Sequence, residues 1–232
     1  MAVTRLGLVA AAAAAALGAA LAAAPASRTH TIASRLELHG PAARARLVPR
    51  FTRAGIAYPP RAVTLVGLKR ERLLQVYAGP RADALAHVAD HTILAASGGP
   101  GPKLREGDAQ VPEGLYRIES LNPNSAFHLS LRVNYPNAFD RRRGAEDGRR
   151  RLGGDIMIHG SAVSIGCLAM GDEVAEDLFV LAADTGLPRI AVILAPWDLR
   201  RHPAPAGEVS LPAWAPGLYA SIAGALRRLP AE

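Results

Sequence analysis

The sequence predicts a mostly β domain with helical decoration, an α+β fold. Three observations lead there. Short apolar runs, several alternating with period two, recur between clusters of Gly, Pro and charged residues from position 62 to 194. Only two segments carry a persuasive helical pattern with both a start and a stop. Half the residues are hydrophobic but only 5% aromatic, so the core is to be built from Leu, Val, Ile and Ala.

Taken in order, residues 1–26 stand apart. Arg5 is followed by an Ala-rich run without a polar side chain over 6–24, ending in the small-residue pattern Ala24-Pro25-Ala26. That is the form of a secretory signal, with a retained membrane anchor as the alternative. Residues 27–60 form an Arg-rich lead-in whose short helix is expected to break at Gly40-Pro41 and to stop before Pro59-Pro60. Residues 62–66 and 72–77 flank the charged turn Lys69-Arg70-Glu71 and read as a hairpin. Further strands are expected at 92–97, 114–118, 127–133 and 155–159. The stretch 140–154 holds six arginines and four glycines and reads as an exposed loop, either solvated or gripping acidic groups. Asp172 is expected to cap a helix that stops at Gly186-Leu187-Pro188, before a strand at 189–194. A Pro-rich linker then leads to a helix over 218–229. The expected division is a leader at 1–26, the lead-in at 27–60, a catalytic domain at 61–197, and linker plus helix at 198–232.

With export, the net charge of +7 speaks against nucleic acid as a partner and fits anionic wall polymer, membrane, or merely a sequence rich in Arg, so the charge decides little. Membrane contact is expected only if the first segment is retained. Cys167 is the only cysteine, so it has no partner within the chain in an oxidising compartment. It is an inert buried thiol, the site of an intermolecular disulfide, or a thiol kept for chemistry.

Its surroundings favour chemistry. His159 ends a strand, and Cys167 follows eight residues later, just before a helix. A thiol needs a base or a positive field to attack, and an imidazole and a helix N-terminus supply both. A Gly-Cys step lets backbone N–H groups approach a reacting carbonyl oxygen. A zinc site built on His159 and Cys167 lacks further ligands at a suitable spacing, so neither metal nor organic cofactor is expected.

His159-Gly160, Ser164-Ile165-Gly166-Cys167 and Met170 together resemble the signature of the YkuD-like L,D-transpeptidase family. The stretches 101–108 and 110–114 resemble the family's segment leading into a strand, 121–125 and 134–140 resemble its YafK-like branch in particular, and the likeness covers roughly 55–197. The resemblance implies a β-sandwich or barrel-type catalytic domain acting on peptidoglycan stem peptides. Cys167 is then the nucleophile that attacks the meso-diaminopimelate carbonyl to form a thioester, with His159 as its base. Gly160 would orient the imidazole, and Gly166 and Cys167 would offer N–H groups to the oxyanion. Ser164 would fix the loop or touch substrate, Ser161, Asn134 and Tyr135 are candidate substrate contacts, and His128 either lines the cleft or lies on a solvated strand face. The wider family has a histidine where this chain has Ile165, and often an arginine where it has Ala169. The YafK-like branch shares both changes and is associated with hydrolysis, releasing lipoprotein bound to murein. Transfer and hydrolysis both stay open, and a silent wall-binding module is the reading from another class.

Overall fold

A computed structural model describes residues 29–205 and 210–230. The leader expected at 1–26 lies outside the described residues. The elements run α1 (Ile32–Arg53), β1 (Ala62–Leu68), β2 (Leu73–Arg81), β3 (Ala84–Thr92), β4 (Ala95–Ala96), β5 (Gly114–Ser125) and β6 (His128–Val133). They continue through α2 (Ala138–Glu146), β7 (Met157–His159), β8 (Leu168–Ala169), α3 (Asp172–Thr185), β9 (Ile190–Ala195) and α4 (Ala215–Leu226). The α+β expectation holds: a mixed nine-stranded sheet carries four helices.

The strand order is β3-β2-β1-β9-β5-β6-β7-β8-β4. The long strand β5 joins two halves of this array. Its first residues, Gly114 to Arg117, pair with β9, and Ile118 onward pair with β6. A strand that changes partners along its length turns a corner, as sandwich and barrel-like sheets require. Most pairs are antiparallel, but β1–β9 and β7–β8 are parallel. The predicted hairpin is present, with Val66 opposite Gln75.

Both faces of the sheet are covered. Alternation along β1 sends Val63 and Leu65 into one core with Phe51 of α1 and Phe179 of α3. It sends Val66 and Leu68 into a second core with Tyr219 and Ile222 of α4. Among the described residues no helix is long and apolar enough to cross a membrane.

Several sequence expectations need correction. Gly40-Pro41 does not break α1, which runs unbroken through Pro41 and Pro49. An internal proline costs a helix about 3 kcal/mol, and tertiary anchors offset it here. Leu47 and Phe51 are buried, Arg44 forks onto Asp184 at 2.8 and 2.7 Å, and Arg46 holds Asp177 at 2.8 Å. The run at 92–97 yields only the two-residue β4, because Ile93 leaves the ladder for the core. The loop expected at 140–154 begins as α2, whose Asn137 and Asp140 form a reciprocal capping box. Its arginines are partly spent on structure: Arg149 donates to the Leu104 carbonyl at 2.6 Å, and Arg151 pairs with Glu106. Asp172 does not cap α3; Gly171 stands at that position, and the Asp172 carboxylate accepts the Ser161 N–H at 2.7 Å.

One buried ion pair ties the parts together. Lys69, just past β1, donates to Glu113 at 3.0 Å and to the carbonyls of Gly101 and Val111. Glu113 also accepts from the Gly101 N–H at 2.9 Å and the Tyr219 hydroxyl at 2.8 Å. The two side chains are only 6% and 0% exposed. All three ammonium protons are therefore used, as burial demands. Removing one partner strands the other charge. Glu113→Ala is expected to lower unfolding free energy by about 3–5 kcal/mol, read from urea midpoints. A loss below about 1 kcal/mol would contradict the assigned role.

Candidate active site

The parallel β7–β8 ladder brings the His159 and Cys167 segments side by side. Ile158 lies opposite Leu168 and His159 opposite Ala169. One step back along this register sets Cys167 beside Met157, and the Met157 N–H donates to the thiol sulfur at 3.3 Å. His159, the last residue of β7, and Cys167, the residue before β8, therefore stand on adjacent strands, diagonal to each other in sequence register. The thiol is half-buried and lies 3.5 Å from the Asp155 carbonyl, to which it can donate.

The imidazole is held from two sides. Nδ1 lies 2.6 Å from the Gly160 carbonyl, which fixes the proton on Nδ1 and leaves Nε2 as the lone-pair nitrogen. The Phe127 ring covers it at a centroid distance of 4.7 Å and a tilt of 31°. Position 160 must be glycine for this packing. A Cβ there would stand 2.5 Å from Asp172 Oδ1, 2.8 Å from the Phe127 carbonyl and 3.0 Å from His128 Cβ.

The loop that carries the thiol is tightly pinned. Gly166 sits at φ +87°, open to glycine, and its N–H donates to Ser97 Oγ at 2.5 Å. Ser164 Oγ accepts the Cys167 N–H at 3.0 Å and donates to the Cys167 carbonyl at 2.6 Å. Both N–H groups expected for an oxyanion hole are therefore engaged by serine hydroxyls. Ser161 holds a left-handed φ of +62°, with its N–H on Asp172 and its carbonyl on Gly171. Ile165 and Val163 project outward, 84% and 59% exposed.

Other expected contacts fall elsewhere. Tyr135 is a correction: it is buried, its hydroxyl donating towards the carbonyls of Lys103 and Leu152, so it pins loops rather than facing substrate. Asn134 accepts the Arg117 N–H at 2.8 Å and lines a shallow groove between β5 and α2. His128 turns to Glu176 of α3, 2.9 Å away. Sequence reasoning missed Phe127, Ser97 and Met157, because ring stacking and backbone donors leave no spacing signal. It also missed a cleft of about 130 Å³ beside the thiol, lined by Lys103, Glu106, Gly153, Asp155, Ile165 and Gly166. Lys103 is buried there, its ammonium 2.5 Å from Asp108 and 3.0 Å from the Arg105 carbonyl.

A parallel strand pair presenting one histidine and one cysteine defines a cysteine–histidine site on a mixed sheet, and the family follows from comparison. Residues 62–190 match the L,D-transpeptidase catalytic domain family (YkuD), and the chain belongs to it. The "Putative L,D-transpeptidase YafK" of Escherichia coli (strain K12) is 33% identical over 144 residues, 58% of this chain and 56% of that protein. This chain thus spans little more than half the length of the curated relatives it matches. Among solved structures, the helical cell shape determining protein Pgp2 from Campylobacter jejuni overlays with a TM-score of 0.47 at 20% identity, covering 63% of this chain and 54% of that one. Mycobacterium tuberculosis L,D-transpeptidase 1 overlays with a TM-score of 0.34 at 14% identity, covering 58% of this chain and 62% of that one.

Electrostatics keep the pair uncharged at rest. Burial pushes the Cys167 thiol above the usual cysteine range, and the Met157 N–H only partly opposes it. Burial also lowers His159, partly offset by its bond to the Gly160 carbonyl. Both shifts favour the neutral form, so near neutral pH the site holds thiol and imidazole rather than an ion pair. Because Cys167 is the only cysteine, iodoacetamide reports on it alone. Alkylation is expected to rise with pH around a midpoint above that of an ordinary cysteine. A rate already at its plateau near pH 6 would show a preformed thiolate and refute this reading.

Proposed function

We propose that this chain is an exported enzyme of the cell envelope that cleaves and re-forms peptide bonds of peptidoglycan stem peptides through Cys167. The observation that supports it best is the placement of His159 at the end of β7 and Cys167 just before its parallel neighbour β8, with the imidazole Nδ1 committed to the Gly160 carbonyl. On substrate binding, the thiol proton passes to Nε2 as sulfur attacks the carbonyl of meso-diaminopimelate. The N–H groups of Gly166 and Cys167 exchange their serine hydroxyls for the developing oxyanion. The leaving amine takes the proton from His159, and a thioester remains on Cys167. An acceptor amine then restores a peptide bond, or water releases a carboxylate. Water as acceptor makes the chain a hydrolase that frees a D-residue or a lipoprotein bound to murein. This chemistry calls on no metal or organic cofactor.

The decisive assay incubates the full chain with sacculi, some carrying bound lipoprotein, and reads products by mass spectrometry. New cross-links or exchanged D-residues are expected from a transferase, and trimmed stems or freed lipoprotein carrying one added water from a hydrolase. Cys167→Ala is expected to abolish either product. His159→Gln is expected to slow it by about 10²–10⁴-fold, the usual worth of a positioned base. Equal products from the wild type and Cys167→Ala would refute the cysteine mechanism.

A further inference from the structure

A second set of donor side chains lies on the far side of the loop that packs against His159. His39 of α1, His128 at the start of β6 and Glu176 of α3 converge so that one ligand atom from each lies within 4.8 Å of the others. Glu176 Oε1 is 2.9 Å from both His39 Nδ1 and His128 Nε2. The imidazole rings meet edge to face at 5.0 Å. We propose that His39, His128 and Glu176 form a binding site for a divalent transition metal of the zinc class, completed by water.

The donor set and its spacing support this. Two imidazoles and a carboxylate make a characteristic three-residue protein set for zinc, with solvent in the fourth position. Metal–ligand bonds of about 2.0–2.1 Å in a tetrahedron place neighbouring donors about 3.3 Å apart. The two 2.9 Å contacts to Glu176 need to open by a few tenths of an ångström, and the two imidazole nitrogens, within 4.8 Å of each other, need to draw in around the ion. Solvent reaches the site, since the three side chains are 14–24% exposed. The other carboxylate oxygen of Glu176 is 3.4 Å from Arg46, which orients it as an outer partner does in metal sites.

Among the described residues His39 Nε2 has no hydrogen-bond partner, so the polar engagement of that ring is confined to Nδ1, the nitrogen facing Glu176. His128 holds a left-handed φ of +72°, uncommon for a side-chain-bearing residue, and this backbone turn aims its ring at Glu176. Metal binding would staple α1 to α3 and the β6 hairpin. It would also steady Phe127, the neighbour of His128 that covers the catalytic imidazole.

The test uses the full chain carrying Cys167→Ala, which removes the thiol as a competing ligand, freed of metal by a chelator. Titration with Zn²⁺ by calorimetry is expected to show one site. Titration with Co²⁺ is expected to give visible bands of a tetrahedral nitrogen–oxygen site without thiolate charge transfer. Adding His39→Ala, Glu176→Gln or His128→Asn is expected to weaken binding at least ten-fold. Asn tolerates the left-handed backbone, so that variant guards against misfolding, and circular dichroism checks the fold of each. Absence of Zn²⁺ binding at micromolar concentration by the folded Cys167→Ala chain would overturn the proposal. So would affinity unchanged in all three variants.

Discussion

A lysine ammonium and a glutamate carboxylate cannot leave water together unless every proton and lone pair finds a partner. Lys69 and Glu113 meet that condition, and the way they meet it organises the molecule. Their partners are the Gly101 and Val111 backbone and the Tyr219 hydroxyl. The pair therefore joins the end of β1, the loop leading into β5, and α4. That same loop contributes Lys103 to the cleft beside Cys167 and follows directly on Ser97, which holds the Gly166 N–H. A charge pair remote from the thiol thus fixes one wall of the site.

The site itself is arranged for restraint rather than permanent activation. Burial keeps thiol and imidazole neutral, and serine hydroxyls occupy the N–H groups of Gly166 and Cys167. Each of these contacts is one that a bound carbonyl could replace. A lone cysteine in the thiol form is also less open to oxidation than a thiolate. The same low-dielectric surroundings that raise the thiol would strengthen charge stabilisation once substrate excludes water.

Much of this was legible in the sequence, and the gaps have physical causes. The His159–Cys167 segment declared itself because a histidine ending one strand and the only cysteine sit within one short stretch, with Gly160 and Gly166 beside them. The β1–β2 hairpin and the Gly186 stop of α3 followed from local chemistry. By contrast β3 was missed because it is an edge strand, mostly half-buried, whose His87, Asp90 and His91 blur the alternation. The unbroken α1 depends on Asp177 and Asp184, more than a hundred residues distant, which no local proline rule can weigh. The α2 helix did carry a signal, the Asn137–Asp140 capping box, hidden by the run of arginines behind it. Tyr135 looked like a substrate contact because motif position says nothing about which way a ring points.

The β7–β8 connection is eight residues long, from Gly160 to Cys167, whereas parallel strands ordinarily need a dozen or more to return. Such a tether is taut, and left-handed turns at Ser161 and Gly166 take up what slack the backbone allows. The separation of His159 and Cys167 is then a mechanical property of a loop with no spare length. Insertion of one residue would slide Cys167 to the opposite face of the ladder, while side-chain changes at the outward-facing Val163 and Ile165 leave the geometry untouched. Evolution of this surface is free to vary what the tether displays, but not how long it is.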